Sequence, residues 1–256
     1  MLSEPQHSPY DLRFHLFGTP VRVQPLFWLF SAILGWQYMQ IGFLYLAIWI
    51  ACSFVSILLH EFGHIWMGKV FGTDGYIVMY SFGGLAVGSN DLRQRWQRIL
   101  VSLAGPGIQL VLWGLLWLGW KSLSPEQAAA MSFPARMALN ILLFINLYWA
   151  LFNLVPIWPL DGGQISREIC TAASPGNGLR ISLMISGGLA SLLVLNDIYA
   201  MGHDGEGFIP YVCTGQWWSL ILFASLAIES FQLLAAARRL QPWEQDEADD
   251  RLPWER

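Results

Sequence analysis

The stretch SILLHEFGHIW, Ser56–Trp66, sets two histidines and a glutamate inside a run that otherwise reads as lipid-soluble. Residues four apart on a helix project from one face about a turn apart, so the imidazoles of His60 and His64 can chelate a single zinc ion. In an H-E-x-x-H helix the glutamate, here Glu61, does not bind the metal. It accepts a proton from zinc-bound water, whose pKa the ion lowers to about 7. At average residue usage the motif arises by chance in roughly one chain in a hundred. Its setting sharpens it, because ionisable groups in hydrocarbon are costly and are by default functional. The plainer alternative is a pair of hydrogen-bonded core histidines with no metal.

Two histidines leave a catalytic zinc site one protein ligand short. His7 and His15 lie in the amino-terminal segment and His203 in a loop on the opposite side. An acid at the end of an apolar run is the better candidate. In FNLVPIWPLDGGQ, Phe152–Gln164, Asp161 follows a helix end broken by Pro156 and Pro159. His60 falls late in its own span, so the two can meet at similar depth. One carboxylate and two neutral imidazoles would leave a buried zinc site with a single formal positive charge, cheaper to bury than a bare dication.

These residues need a scaffold, and the composition points to a membrane one. Of 256 residues, 55% are hydrophobic and 12% charged, with 14 Trp and a mean hydropathy of +0.44. Six runs qualify as spans, at about 25–40, 41–70, 99–120, 137–158, 179–195 and 216–237, the first of them short. The expected fold is an all-α integral membrane protein of six transmembrane helices, with a short re-entrant or membrane-associated β-hairpin between the second and third. Residues 1–24 read as a cytoplasmic segment without a cleavable signal, 25–238 as the membrane domain with its core at 41–175, and 239–256 as an acidic cytoplasmic tail. Lys and Arg in short loops stay cytoplasmic. Of the 14 basic residues, all but Lys121 and Arg136 fall on the side shared by the two ends. Both termini are therefore expected in the cytoplasm. A net charge of −4 gives no basic surface for nucleic acid. Cys52, Cys170 and Cys213 are scattered and read as ordinary small apolar residues.

Two glycine-containing stretches stand near the motif. YIVMYSFGGLAVG, Tyr76–Gly88, is too short and glycine-rich for a span. It can form the hairpin, with Gly83 and Gly84 where an extended substrate pairs with a strand edge; a simple cytoplasmic turn is the alternative. In SLAGPG, Ser102–Gly107, Gly105 and Gly107 allow close helix packing. Asn146 and Asn153 are one heptad apart, and for Asn146 an interhelical hydrogen bond is the expected role.

The sequence resembles the site-2 proteases, zinc intramembrane metalloproteases of peptidase family M50. HEFGH matches their H-E-x-x-H, and Asn153, Pro156, Leu160, Asp161 and Gly162 match their N-x-x-P-x-x-x-L-D-G element; SFGGLA and SLAGPG also look like the family. The resemblance covers roughly residues 20–175 and is closest to the six-helix branch. It implies one Zn2+ per chain held by His60, His64 and Asp161, Glu61 as general base and acid, and Asn153 at the substrate or its oxyanion. It also implies a zinc metalloendopeptidase that cleaves in or near transmembrane helices of single-span membrane proteins, as in regulated intramembrane proteolysis, in a prokaryotic cell (inner) membrane. With no PDZ-like insertion and no CBS pair in the residues at hand, selection through such modules and nucleotide binding are not expected. The competing class is a membrane zinc protein without protease activity, either a transporter or an inactive scaffold.

Overall fold

A computed structural model describes residues 8–81, 83–209 and 217–239, with backbone alone at 238–239. His7, Cys213 and the acidic residues of 240–256 lie outside the described residues. The chain divides into two compact units, one ending at Asn153 and one beginning at Leu154.

The first unit opens with β1 (Leu12–Leu16) and β2 (Thr19–Val23), an antiparallel hairpin turned at Phe17 and Gly18. The segment expected to be a plain cytoplasmic lead-in thus carries regular structure. Its pattern alternates, with Val21 and Val23 turned inward, as a half-buried strand requires. β2 pairs in parallel with β3 (Tyr76–Tyr80), which pairs antiparallel with β4 (Gly83–Val87). The sheet order is β1-β2-β3-β4, so the expected hairpin exists as half of a four-stranded sheet with β4 at one edge.

Between β2 and β3 run α1 (Pro25–Leu34), α2 (Trp36–Met39) and α3 (Phe43–Val70). The first expected span is therefore a ten-residue helix and a short turn. At 1.5 Å per residue α1 covers about half of a hydrocarbon core. The break falls at Gly35, where a Cβ would overlap the Trp49 indole, and that ring donates through Nε1 to the Ser31 carbonyl at 2.9 Å. α3 has two working faces. Ile57, Leu58, Phe62 and Ile65 join Val21, Val23, Phe27, Ile77 and Met79 in one apolar core under the sheet. Ser53, Ser56, His60 and Gly63 stand on the other face, towards α4 (Arg95–Ser122). There a Cβ on Gly63 would meet the Ala104 carbonyl at 2.5 Å, so the two backbones cross closely at small residues.

A short capped helix, α5 (Pro125–Ala130), leads to α6 (Phe133–Asn153). α6 stops five residues before the expected boundary at 158, because Pro156 bars its predecessor from helical geometry and lacks a donor. Asn146 on α6 donates to Ser56 Oγ on α3 at 3.0 Å, the interhelical bond expected of it.

The second unit holds α7 (Asp161–Ala173), α8 (Gly178–Met201) and α9 (Trp217–Arg239). α8 and α9 pack through Leu179, Leu183, Leu234 and Ala237, with Ser186 and Ser230 hydroxyls 2.7 Å apart. Among the described residues, five helices are long and apolar enough to cross a bilayer: α3, α4, α6, α8 and α9.

Candidate metal centre

His60 and His64 lie on the α3 face that meets α4, at 3% and 7% exposure. Each ring is anchored through Nδ1. His64 Nδ1 stands 2.7 Å from the Val101 carbonyl and His60 Nδ1 stands 2.9 Å from Gln109 Oε1, both on α4. A carbonyl oxygen only accepts, so Nδ1 carries the proton in each ring and Nε2 presents a lone pair. The two Nε2 atoms face one another at 3.1 Å, with the rings nearly perpendicular at 79°. Two such lone pairs repel unless a cation lies beside them. Two nitrogens on one tetrahedral zinc, with bonds of about 2.0–2.1 Å, are about 3.3 Å apart, so the pair fits the ion.

α4 is shaped for this approach. A Cβ on Gly105 would sit 2.9 Å from His60 Nε2 and closer still to His64 Nε2. The glycine in SLAGPG therefore does more than let two helices touch; it leaves room at the metal-facing nitrogens. Pro106, one residue on, has no N–H for the ladder and loosens α4 beside the Val101 carbonyl.

Glu61 is buried next to His60 and points towards the sheet. A Cβ on Gly84 would lie 2.5 Å from Glu61 Oε1, so the β4 backbone rests against the carboxylate. Gly83 has φ +139, a region that favours glycine, and its missing Cβ would meet the Trp149 ring at 3.2 Å. The first unit thus gathers His60, His64, Glu61, Gly84 and Gly105. Asn153, at the end of α6, donates through Nδ2 to the Trp149 carbonyl at 2.9 Å. That bond uses one of the two hydrogens on its amide nitrogen.

Asp161 belongs to the second unit. It is buried at the first position of α7, where a carboxylate suits the positive end of the helix dipole. Two glycines follow it for a steric reason. A Cβ on Gly162 would meet the Val155 carbonyl at 2.5 Å, and one on Gly163 the Ile157 carbonyl at 2.5 Å. The chain before α7 therefore folds tightly back on its first turn. Trp158 N–H donates to Ser186 Oγ at 2.7 Å and ties that segment to α8.

Gln109 and the Val101 carbonyl were not among the residues singled out from the sequence. Gln109 had a detectable signal, an amide in the middle of an apolar span, whereas a backbone carbonyl has none.

A mostly helical fold with membrane-length helices and a buried chelating histidine pair defines a class, the membrane metalloproteins of H-E-x-x-H type. Residues 121–195 match the profile of Peptidase family M50. A Synechocystis protein named for zinc metalloprotease activity is 30% identical over 173 residues, 66% of this chain and 42% of its own length. A zinc metalloprotease of Methanocaldococcus jannaschii is 26% identical over 199 residues, 73% of this chain and 56% of its own. The chain thus spans about half the length of these curated relatives. The fold is similar to the solved site-2 protease from Methanocaldococcus jannaschii, with a TM-score of 0.61 and 22% identity over 87% of this chain and 94% of that one. In sequence the chain is similar to Peptidase family M50 and its zinc metalloproteases, and in fold to a site-2 protease. Zn2+ is the cofactor that this similarity implies.

Proposed function

We propose that this multi-pass membrane protein is an intramembrane zinc endopeptidase, cleaving peptide bonds in or near the transmembrane helices of single-span membrane proteins. The observation that carries the reading is the pair of Nδ1-anchored imidazoles on α3, with Glu61 between that pair and the edge strand β4. His60, His64 and Asp161 would hold one zinc ion. When bound, the ion polarises a carbonyl and makes water a nucleophile near neutral pH.

The remaining work falls to the chain. Glu61 takes the proton from the attacking water and returns it to the leaving amine. Its carboxylate is held in place by the backbone at Gly84, so base and strand edge share one position. An unwound substrate segment pairs with the outer edge of β4, whose hydrogen bonds demand no particular side chains. Asn153 keeps an amide hydrogen for the substrate or for the developing oxyanion. Sheltering the scissile bond in protein lets a non-helical backbone exist at membrane depth. The amino and carboxyl ends face the cytoplasm of a prokaryotic cell, which supplies water from that side.

A zinc transporter would place metal-binding side chains at several points along its spans, whereas one such group, His60, His64 and Asp161, is found among the described residues, and an inactive scaffold has no use for Glu61. The deciding experiment co-expresses a single-span substrate with the wild type or Glu61→Gln and measures cleavage together with bound zinc. The expected result is retained zinc and lost cleavage; equal cleavage by both proteins would refute the assigned base.

A further inference from the structure

We infer that Gln109 is the positioning residue for His60, fixing the imidazole tautomer that turns Nε2 towards the metal. The inference rests on His60 being a metal ligand, as proposed above. Gln109 is fully buried, 0% exposed, in the apolar middle of α4. A carboxamide can be turned either way, presenting oxygen or nitrogen to a neighbour. Here its second contact removes the choice. Gln109 Nε2 stands 3.1 Å from the Ser56 carbonyl, which can only accept. Reversing the amide would set two carbonyl oxygens against each other at that distance and leave the Gln109 oxygen unpaired in a buried site.

Oε1 must therefore face His60, and at 2.9 Å it accepts from Nδ1–H. With the proton on Nδ1, Nε2 is the ligand atom. The competing tautomer, with the proton on Nε2, would instead spend that atom on the neighbouring imidazole at 3.1 Å. Ser56 is itself held, because its hydroxyl accepts from Asn146 Nδ2 at 3.0 Å and Asn146 also donates to the Leu142 carbonyl at 2.8 Å. The orientation of one imidazole is thus set by groups on α3, α4 and α6, all buried. Partners of this kind on the far nitrogen of a ligand histidine raise metal affinity about 10- to 100-fold.

The test uses the full chain in detergent and two readouts. Zinc affinity is measured by competition with a chromogenic chelator for wild type, Gln109→Met, Gln109→Glu and His60→Ala. Gln109→Met should weaken zinc about 10- to 100-fold, while Gln109→Glu, which keeps the acceptor oxygen for His60 but sets its other oxygen against the Ser56 carbonyl, should recover part of that loss. Separately, 15N-histidine spectra of the metal-free protein, assigned by difference from His60→Ala, should show the Nδ1–H form of His60 in wild type and Gln109→Glu and its loss in Gln109→Met. Unchanged affinity and an unchanged tautomer in Gln109→Met would overturn the inference. So would an Nε2–H form of His60 in the wild type, a result that needs no variant at position 109 to fold. Equal zinc binding by wild type and His60→Ala would overturn the metal reading instead, and the tautomer spectra would still decide the role of Gln109.

Discussion

Two glycines stand against the proposed reacting groups, one at the base and one at the metal-binding histidines. Gly84 abuts Glu61, and Gly105 abuts the Nε2 atoms of His60 and His64. Gly84→Val should displace the carboxylate and the strand edge together, lowering cleavage about 100-fold or more while zinc content stays that of the wild type. Gly105→Val should do the reverse in order, losing zinc first and activity with it. Assaying both variants for zinc and for cleavage checks the pair. HEFGH was legible as chemistry because three ionisable groups in five apolar positions need a reason. The role of Gly105 was not, because a glycine in a helix reports only that something is close, and only the fold says that the something is a pair of imidazoles. The same limit applies to Gln109, whose importance lies in two partners brought to it from α3.

At the scale of elements, α7 is positioned by what precedes it. Gly162 and Gly163 let the segment from Leu154 to Trp158 lie against the first helical turn. Gly162→Ala should cost about 1–3 kcal/mol through overpacking and shift Asp161, so both the thermal midpoint and zinc affinity should fall. Denaturation and chelator competition on the same preparation measure the two effects. The long apolar helices were legible to within about six residues at their ends, since burial in lipid asks only for length and hydrophobicity. The first run was legible as apolar and short but not as interrupted, because the break depends on the Trp49 ring beneath Gly35. The amino-terminal hairpin was missed although its alternation was present, with Leu12, Phe14 and Leu16 before the Phe17–Gly18 turn and Val21 and Val23 after it. Strands of five residues announce themselves weakly, and the parallel partner of β2 comes some fifty residues later.

For the whole molecule, the distribution of charge makes a topological claim. Twelve of the 14 Lys and Arg residues lie on one side of the expected spans, leaving Lys121 and Arg136 on the other. A cytoplasm-dependent reporter fused to either end should be active, and a phosphatase that works only outside the cytoplasm should be active when inserted near Ser124. Phosphatase activity at either end would reverse the orientation. The proposed zinc ligands make the stronger claim, because the two histidines and the aspartate come from sequence positions about a hundred residues apart, and each has its own local reason to be where it is. That claim is tested most directly by metal analysis of purified wild type, Glu61→Gln and Asp161→Ala, each first stripped and then titrated with zinc. One zinc per chain in the wild type and in Glu61→Gln, with binding at least tenfold weaker in Asp161→Ala, is the predicted result. Wild-type affinity in Asp161→Ala would contradict it.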